Sequence, residues 1–318
     1  MESRTASAPS NAPDQLSRCA GFDYLRLLAM ALVTVQHGMT GAGYYDQTAW
    51  GPVSIGQSGV SLFCALSGYL AFQSGKQSAS ASAWLQKRLW QIYPAYWIAT
   101  LAAFALTWIA GVKRFDTWLF LSQMLGTGYF THGWELVNVV SWFISLILLC
   151  YVIAFVGKWL ARPQLTLACA AVIAFALLAT HTEAAISRHV LTFCIAGLVA
   201  QARPRPGAMF ALVVGLFGAT WFWPLIFYAA FGLGMLAVAR GWQAHATWMT
   251  RIMSPYVYEY FLVHGIFLAA LAHFLPGPKL LSAAVAVALA MLAAVILKKL
   301  AARLVACVRN NKPTQATA

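Results

Sequence analysis

Long runs of apolar residues recur along the whole chain and constrain its fold more than any other feature. Many are roughly 17–22 residues long, enough to cross a hydrocarbon core about 30 Å thick. In lipid, every backbone N–H and C=O needs a partner within its own segment, so such runs must be helical. The sequence therefore predicts an all-α, polytopic transmembrane helix bundle.

The composition agrees with a membrane protein. Of 318 residues, 61% are hydrophobic and only 9% are charged, whereas a soluble domain usually carries about 25% charged residues. The formal net charge of +13 comes from Lys and Arg in short loops between apolar runs. This pattern favours orientation in a lipid bilayer over nucleic-acid binding. The six cysteines are scattered without a C-x-x-C pair, so we expect neither a disulfide framework nor a metal site.

Eleven apolar runs are candidate spans, and the fourth is the weakest because it is short and contains two glycines. The candidates fall near residues 22–40, 58–74, 90–110, 116–130, 139–157, 164–180, 187–201, 207–221, 223–239, 255–275 and 280–300.

The distribution of basic residues indicates whether the fourth candidate crosses. If it does not, and the N-terminus is cytoplasmic, sixteen Lys and Arg face the cytoplasm and four face outwards, with Arg26 at the start of the first span. If it does cross, every later loop changes sides and this bias is lost. The sequence therefore predicts about ten spans, N- and C-termini in the cytoplasm, and segment 116–130 re-entrant or peripheral.

The chain divides into three parts by composition. Residues 1–20 are polar and rich in Ser, Ala and Pro, which is typical of a disordered tail and not of a cleaved signal peptide. Residues 21–305 form one transmembrane domain, and residues 306–318 form a basic cytoplasmic tail.

Ionisable residues in the first helix are the clearest functional candidates, because such groups are costly inside a bilayer. Arg26 and His37 are eleven residues apart, about three helical turns plus 20°, so both project from one face about 16 Å apart along the axis. Asp23 is placed to pair with Arg26 one turn away. The alternatives are an Arg26 that snorkels to the interface and a His37 that only packs.

Several motifs, in this order, resemble the membrane-bound acyltransferase-3 family, whose members O-acylate sugars of surface polysaccharides, lipopolysaccharide and peptidoglycan. The first is a D-x-x-R element, Asp23 to Arg26, whose arginine is followed by ten residues and then His37. The later ones are GQSGVSLFCALSGYL (56–70), KRLWQIYPAYW (87–97), VSWFISLILLCYV (140–152) and YVYEYFLVHGIFL (256–268). The resemblance extends from residue 22 to about 300.

The resemblance implies an O-acyltransferase of the bacterial inner membrane that uses acyl-CoA, most commonly acetyl-CoA, as co-substrate and has no bound cofactor. His37 would be the catalytic base, Arg26 would also be a catalytic residue, and a glycan would be the acceptor. Arg26, Arg88 and Lys87 would bind acyl-CoA. The residues expected to shape the cavity are Asp23, Ser67, Tyr69, Trp142, Ser145, His264 and Glu259. The histidine and the arginines are suited to acyl transfer, because a histidine can take the proton of the acceptor hydroxyl and arginines can bind the phosphates of the donor.

The chain departs from the family pattern in three places. The second arginine of the family's R-x-x-R stretch is Gln91, which leaves donor binding to Lys87 and Arg88. The W-x-L segment lacks the glutamate of many relatives, with Trp142 and Ser145 nearest. We expect a stand-alone short form without an extracytoplasmic domain.

Two other functions stay open at this point. A polar stripe in a many-helix protein also suits a small-molecule transporter or exporter, although no internal repeat is visible. A catalytically inactive scaffold is a third hypothesis, which the intact pair of Arg26 and His37 disfavours. The sequence favours neither a covalent acyl-histidine nor a general base, and it indicates no oligomeric state.

Overall fold

α-Helices make up most of the described chain, which comprises residues 20–73, 80–111, 116–242, 245–274 and 279–310 of a computed structural model. The α-helices, numbered α1 to α13 in chain order, are Ala20–Gly41, Ile55–Gln73, Ala81–Ile109, Thr117–Met124, Gly128–His132, Trp142–Trp159, Pro163–Ala179, Ala184–Ala202, Pro206–Ala219, Phe227–Gly241, Trp248–Met253, Val257–Phe274 and Lys279–Asn310. Short 3-10 turns cover Tyr45–Thr48, Val139–Ser141, Pro224–Ile226 and Ser254–Tyr256. One antiparallel hairpin pairs β1, Ala49–Trp50, with β2, Val53–Ser54.

The prediction of an all-α, multi-pass membrane bundle is confirmed. Six helical stretches within the described residues are long and apolar enough to cross a membrane, namely Ile55–Gln73, Ala81–Ile109, Val139–Trp159, Ala184–Ala202, Pro224–Gly241 and Lys279–Val308. Pro163–Ala179 and Pro206–Ala219 are shorter apolar helices. The count of ten spans and the cytoplasmic position of both termini stay predictions.

The three-part division of the chain also stays a prediction. Residues 1–19 and 311–318, which hold nearly all of the predicted N-terminal tail and the end of the predicted C-terminal tail, lie outside the described residues. Helix α13 continues to Asn310 and so runs into the stretch assigned to the basic tail.

Helix α2 lies at the centre of the bundle, in contact with α1, α8 and α10. Small residues allow this close approach. A side chain at Gly68 would overlap the backbone carbonyl of Phe193 on α8, and a Cβ at Gly59 would lie 2.6 Å from the carbonyl oxygen of Ala29 on α1. Because the helix backbones nearly touch at both points, α2 is held rigidly between its neighbours.

The weak fourth candidate folds as two short helices, α4 and α5, separated by a turn. At 1.5 Å per residue, neither helix can cross a bilayer. Side chains of α3 donate hydrogen bonds to three backbone carbonyls at the end of α4. Tyr96 donates to Gln123 O, Trp97 Nε1 to Met124 O at 2.9 Å, and Tyr93 to Leu125 O at 2.7 Å. The Tyr-Pro-Ala-Tyr-Trp stretch thus fixes this segment against α3.

Candidate active site

A cavity of about 350 Å³ lies between helices α1, α2, α3, α6 and α12. The helices that surround it pack on one another, since α12 contacts α1 and α3, and α3 contacts α6. The predicted site residues that line it are Arg26, Ser67, Arg88 and Glu259. The cavity therefore brings together two cations and one carboxylate that are far apart in sequence.

Arg26 is held in place by Asp23, as the sequence predicts. Its Nη1 donates to Asp23 Oδ1 at 2.7 Å, and the side chain of Asp23 is 7% exposed while that of Arg26 is 33% exposed. The hydroxyl of Ser254 donates to the same oxygen at 2.7 Å. A buried carboxylate so bonded fixes the guanidinium at the cavity wall, where its other N–H groups can meet a ligand.

Arg88 enters the cavity from α3 and is oriented by its neighbours. Its Nη1 donates to Gln91 Oε1 at 3.3 Å. Its guanidinium carbon lies 5.8 Å from the ring centre of Trp84 and 5.9 Å from that of Tyr151. The two rings also contact each other, with centres 5.6 Å apart, so the guanidinium lies against both of them and its charge stays available to an anion.

The third predicted cation, Lys87, is exposed, and it is not among the described residues that line the cavity. Its predicted role in acyl-CoA binding stays a prediction. Lys158, near the end of α6, was not predicted as a site residue. Its ammonium lies 5.2 Å from the ring of Trp84, the ring that Arg88 also approaches, so a second cation stands beside Arg88.

Glu259 projects into the same cavity from α12. It is 9% exposed, and its Oε2 is buried without a hydrogen-bond partner among the described residues. A buried acceptor of this kind gains free energy when a ligand supplies a donor, such as an amide N–H or a hydroxyl. The cavity is therefore suited to a ligand with both anionic groups and hydrogen-bond donors.

His37 lies beside His264, with ring centres 5.2 Å apart and an interplanar angle of 61°. His264 is 1% exposed, whereas His37 keeps part of its surface open. The ring of Tyr260 stacks on His264 at 5.5 Å and 11°, and its hydroxyl is hydrogen bonded to that of Thr34 at 3.1 Å. The predicted base of α1 thus has a second histidine against it, contributed by α12.

Three phenylalanines lie where the cavity approaches the histidine pair. Phe63, Phe143 and Phe261 all line the cavity, with ring centres 4.8 to 6.1 Å apart. Phe261 also contacts the ring of His264 at 5.5 Å. Arg26 lines the cavity, His37 is not among the described residues that line it, and this aromatic layer reaches the histidine pair through Phe261. That Arg26 and His37 share a single lining stays a prediction.

Three other predicted site residues are not among the described residues that line this cavity, and their roles in it stay predictions. Tyr69 lies under the guanidinium of Arg240, 5.0 Å away. Trp142 is buried against Trp134 at 5.3 Å. Ser145 Oγ accepts from Tyr129 N at 3.3 Å.

A buried polar cluster between α2 and α8 was not predicted. His189 is fully buried, with Nε2 2.8 Å from Gln57 Oε1 and Nδ1 3.1 Å from Ser61 Oγ. Arg188 Nη2 donates to the same Gln57 oxygen at 3.1 Å. The available signal was the one-turn spacing of Gln57 and Ser61, two polar residues on an apolar helix.

Comparison with known proteins gives one result that covers most of the chain. The family model described as an acyltransferase domain, acyltransferase 3, matches residues 20–299. The match begins at the start of α1 and ends within α13, so it includes every residue of the cavity and of the histidine pair. Comparisons with curated proteins and with solved structures gave no match.

Proposed function

The chain belongs to the membrane-bound acyltransferase-3 family, and from this premise we propose that it moves an acyl group from cytoplasmic acyl-CoA to a glycan hydroxyl. The acceptor is a cell-surface glycan or its lipid-linked precursor, the acyl group is acetyl, and the membrane is a bacterial inner membrane. One observation carries the proposal. Arg26 and Arg88 line the same cavity, and the contacting rings of His37 and His264 lie next to it.

The cavity supports binding of the donor. Coenzyme A carries phosphates, for which arginine side chains are suitable partners, and amide and hydroxyl donors, for which Glu259 Oε2 is a suitable acceptor. A volume of about 350 Å³ accommodates part of such a molecule and leaves the rest at the cavity mouth. Arg26 and Arg88 would hold the phosphates, and the thioester would extend towards the aromatic layer.

His37 would act as the general base. It takes the proton of the acceptor hydroxyl while the oxygen attacks the thioester carbonyl, and the carbon–sulfur bond breaks to release the thiolate. The proton then passes from His37 to the thiolate, so the products are an ester and coenzyme A with a free thiol. Histidine suits this role because its ordinary pKa lies near neutral pH.

Mass spectrometry of surface glycans tests this reaction in cells. We expect the acetyl mass to be lost without the protein and to return with the unaltered chain, but not with His37→Ala. Because general base catalysis contributes about 100-fold or more, the remaining acetylation should be near background. His245→Ala, at an exposed histidine outside the cavity lining, is the matched control. Full acetylation by His37→Ala at normal protein levels contradicts the proposal.

Binding of acyl-CoA to the purified protein in detergent tests the donor assignment. Arg88→Ala should weaken binding about tenfold, because a charge-assisted contact to phosphate is lost. Lys87→Ala gives the comparison, and we expect a smaller effect because Lys87 is exposed away from the cavity lining. No binding by the unaltered protein, together with solute flux in liposomes, would favour a transporter instead.

A further inference from the structure

The second histidine holds a ring nitrogen that nothing in the described chain satisfies. His264 Nε2 is buried and has no hydrogen-bond partner among the described residues. Its other nitrogen, Nδ1, lies 2.7 Å from the carbonyl oxygen of Phe261. Buried polar atoms are nearly always paired, so an unpaired one at this depth calls for an explanation.

The bond to Phe261 determines which nitrogen of His264 carries the proton. A carbonyl oxygen only accepts, so the Nδ1 that faces it must be the donor. In a neutral imidazole the other nitrogen then has no proton and presents a lone pair. Nε2 is therefore an acceptor, and Phe261 fixes this tautomer by a contact within α12.

His37 is the nearby side chain that can satisfy this acceptor. The two ring centres are 5.2 Å apart. Since each ring nitrogen lies about 1 Å from its ring centre, this separation allows a nitrogen–nitrogen hydrogen bond of about 3 Å once the His37 ring turns. Tyr260 stacks on His264 and keeps that ring from turning in its place.

We propose that His264 is a positioning residue for the transfer reaction, in which its Nε2 accepts a hydrogen bond from His37 and so presents the lone pair of His37 to the acceptor hydroxyl. This rests on the proposed function of His37. The bond forms when the acceptor enters and His37 turns. The hydroxyl proton goes to the free nitrogen of His37, the oxygen forms the ester bond, and the same proton leaves with the thiolate. His264 gains and loses no proton overall.

If His264 only packs against its neighbours, its substitution should have a different effect than if it orients His37. If the ring only packs against Tyr260 and His37, phenylalanine should replace it well, because its ring keeps both contacts and removes a costly unpaired acceptor. If the lone pair orients His37, phenylalanine should leave the fold and donor binding intact and slow the transfer. Glutamine keeps an acceptor oxygen, and alanine leaves space for a small molecule.

The experiment measures kcat and KM for acyl-CoA in purified protein with His264→Phe, His264→Gln and His264→Ala. We expect His264→Phe to lower kcat about 100-fold with KM unchanged, because His37 loses the acceptor that orients it and general base catalysis contributes about 100-fold or more. His264→Gln should keep more activity than His264→Phe. Added imidazole should raise the kcat of His264→Ala at least tenfold. His245→Phe is the control for a histidine outside the site.

Several outcomes overturn the inference. One is a kcat for His264→Phe within threefold of the unaltered enzyme, and another is a loss in all three variants that imidazole does not relieve. If His264→Phe does not fold, the inference is tested by the kcat of His264→Gln and by the effect of imidazole on the kcat of His264→Ala. Failure of the proposed function is distinguishable, since the unaltered protein would then show no acyl transfer at all.

Discussion

Arg88 donates a hydrogen bond to Gln91 at 3.3 Å, so the residue that replaces the second arginine of the family's stretch orients the first. We expect Gln91→Leu to raise KM for acyl-CoA about threefold to tenfold while kcat is kept. The reason is that the guanidinium loses its side-chain anchor on α3, and hydrogen bonds to charged groups contribute about 1.5–3 kcal/mol, less where water screens them. Steady-state kinetics with a saturating acceptor measure this effect.

Gln91→Glu is the companion variant for this prediction. It keeps an acceptor for Arg88 but places a negative charge on the cavity wall. We expect it to weaken donor binding more than Gln91→Leu, because a carboxylate repels phosphate. Equal donor KM values for both variants and the unaltered protein would show that position 91 plays no part in donor binding.

Asp23 holds Arg26 at the cavity wall through a nearly buried carboxylate. We expect Asp23→Asn to raise the Kd for acyl-CoA about tenfold, because the guanidinium loses its charged partner and becomes free to take other rotamers. Isothermal titration with the purified protein measures the Kd. Asp116→Asn is a suitable control, since Asp116 caps α4 through Leu119 N and lies away from the cavity lining. An unchanged Kd in Asp23→Asn would show that the placement of Arg26 by Asp23 does not contribute to binding of acyl-CoA.

The sequence predicts the features of this molecule that depend on spacing along one helix. Apolar runs indicate the bundle, and one helical turn between Asp23 and Arg26 indicates their ion pair, which the structure contains. Arg88 was identified through the motif around it, and it lines the cavity. These predictions succeed because helix geometry converts residue spacing directly into contact.

The features that the sequence did not reveal depend on packing between helices distant in the chain. The contact of His37 with His264 joins α1 to α12, and that of Lys158 with Trp84 joins α6 to α3. His189 lies near the start of its helix, and contact with α2 buries it completely. No local pattern encodes which face of one helix meets which face of another.

The hydrogen bond from Tyr96 to the carbonyl of Gln123 should matter for stability more than for catalysis. We expect Tyr96→Phe to lower the free energy of unfolding by about 0.5–1.5 kcal/mol, because the carbonyl of Gln123 loses one of its donors and keeps the bond from Gly126 N at 2.8 Å. Thermal unfolding in detergent measures this as a lower Tm, while kcat per folded molecule is kept. Tyr93→Phe, which removes a similar bond at a more exposed position, should lower the Tm less. A Tm drop that is equal or larger in Tyr93→Phe would contradict this account.

Gly68 is the tighter of two positions where the central helix α2 has no room for a side chain beside a neighbouring backbone. A methyl group there would overlap the backbone carbonyl of Phe193, and a helix backbone cannot move aside as a flexible side chain can. We therefore expect Gly68→Ala to separate α2 from α8 and to abolish recovery of monodisperse protein. Gly215→Ala, on a helix position with no neighbour within 4 Å of the added carbon, should leave recovery unchanged or raise it, since alanine favours helix. Size-exclusion chromatography of both variants in detergent decides the matter, and normal recovery of Gly68→Ala would show that the contact of α2 with α8 is looser than this geometry requires.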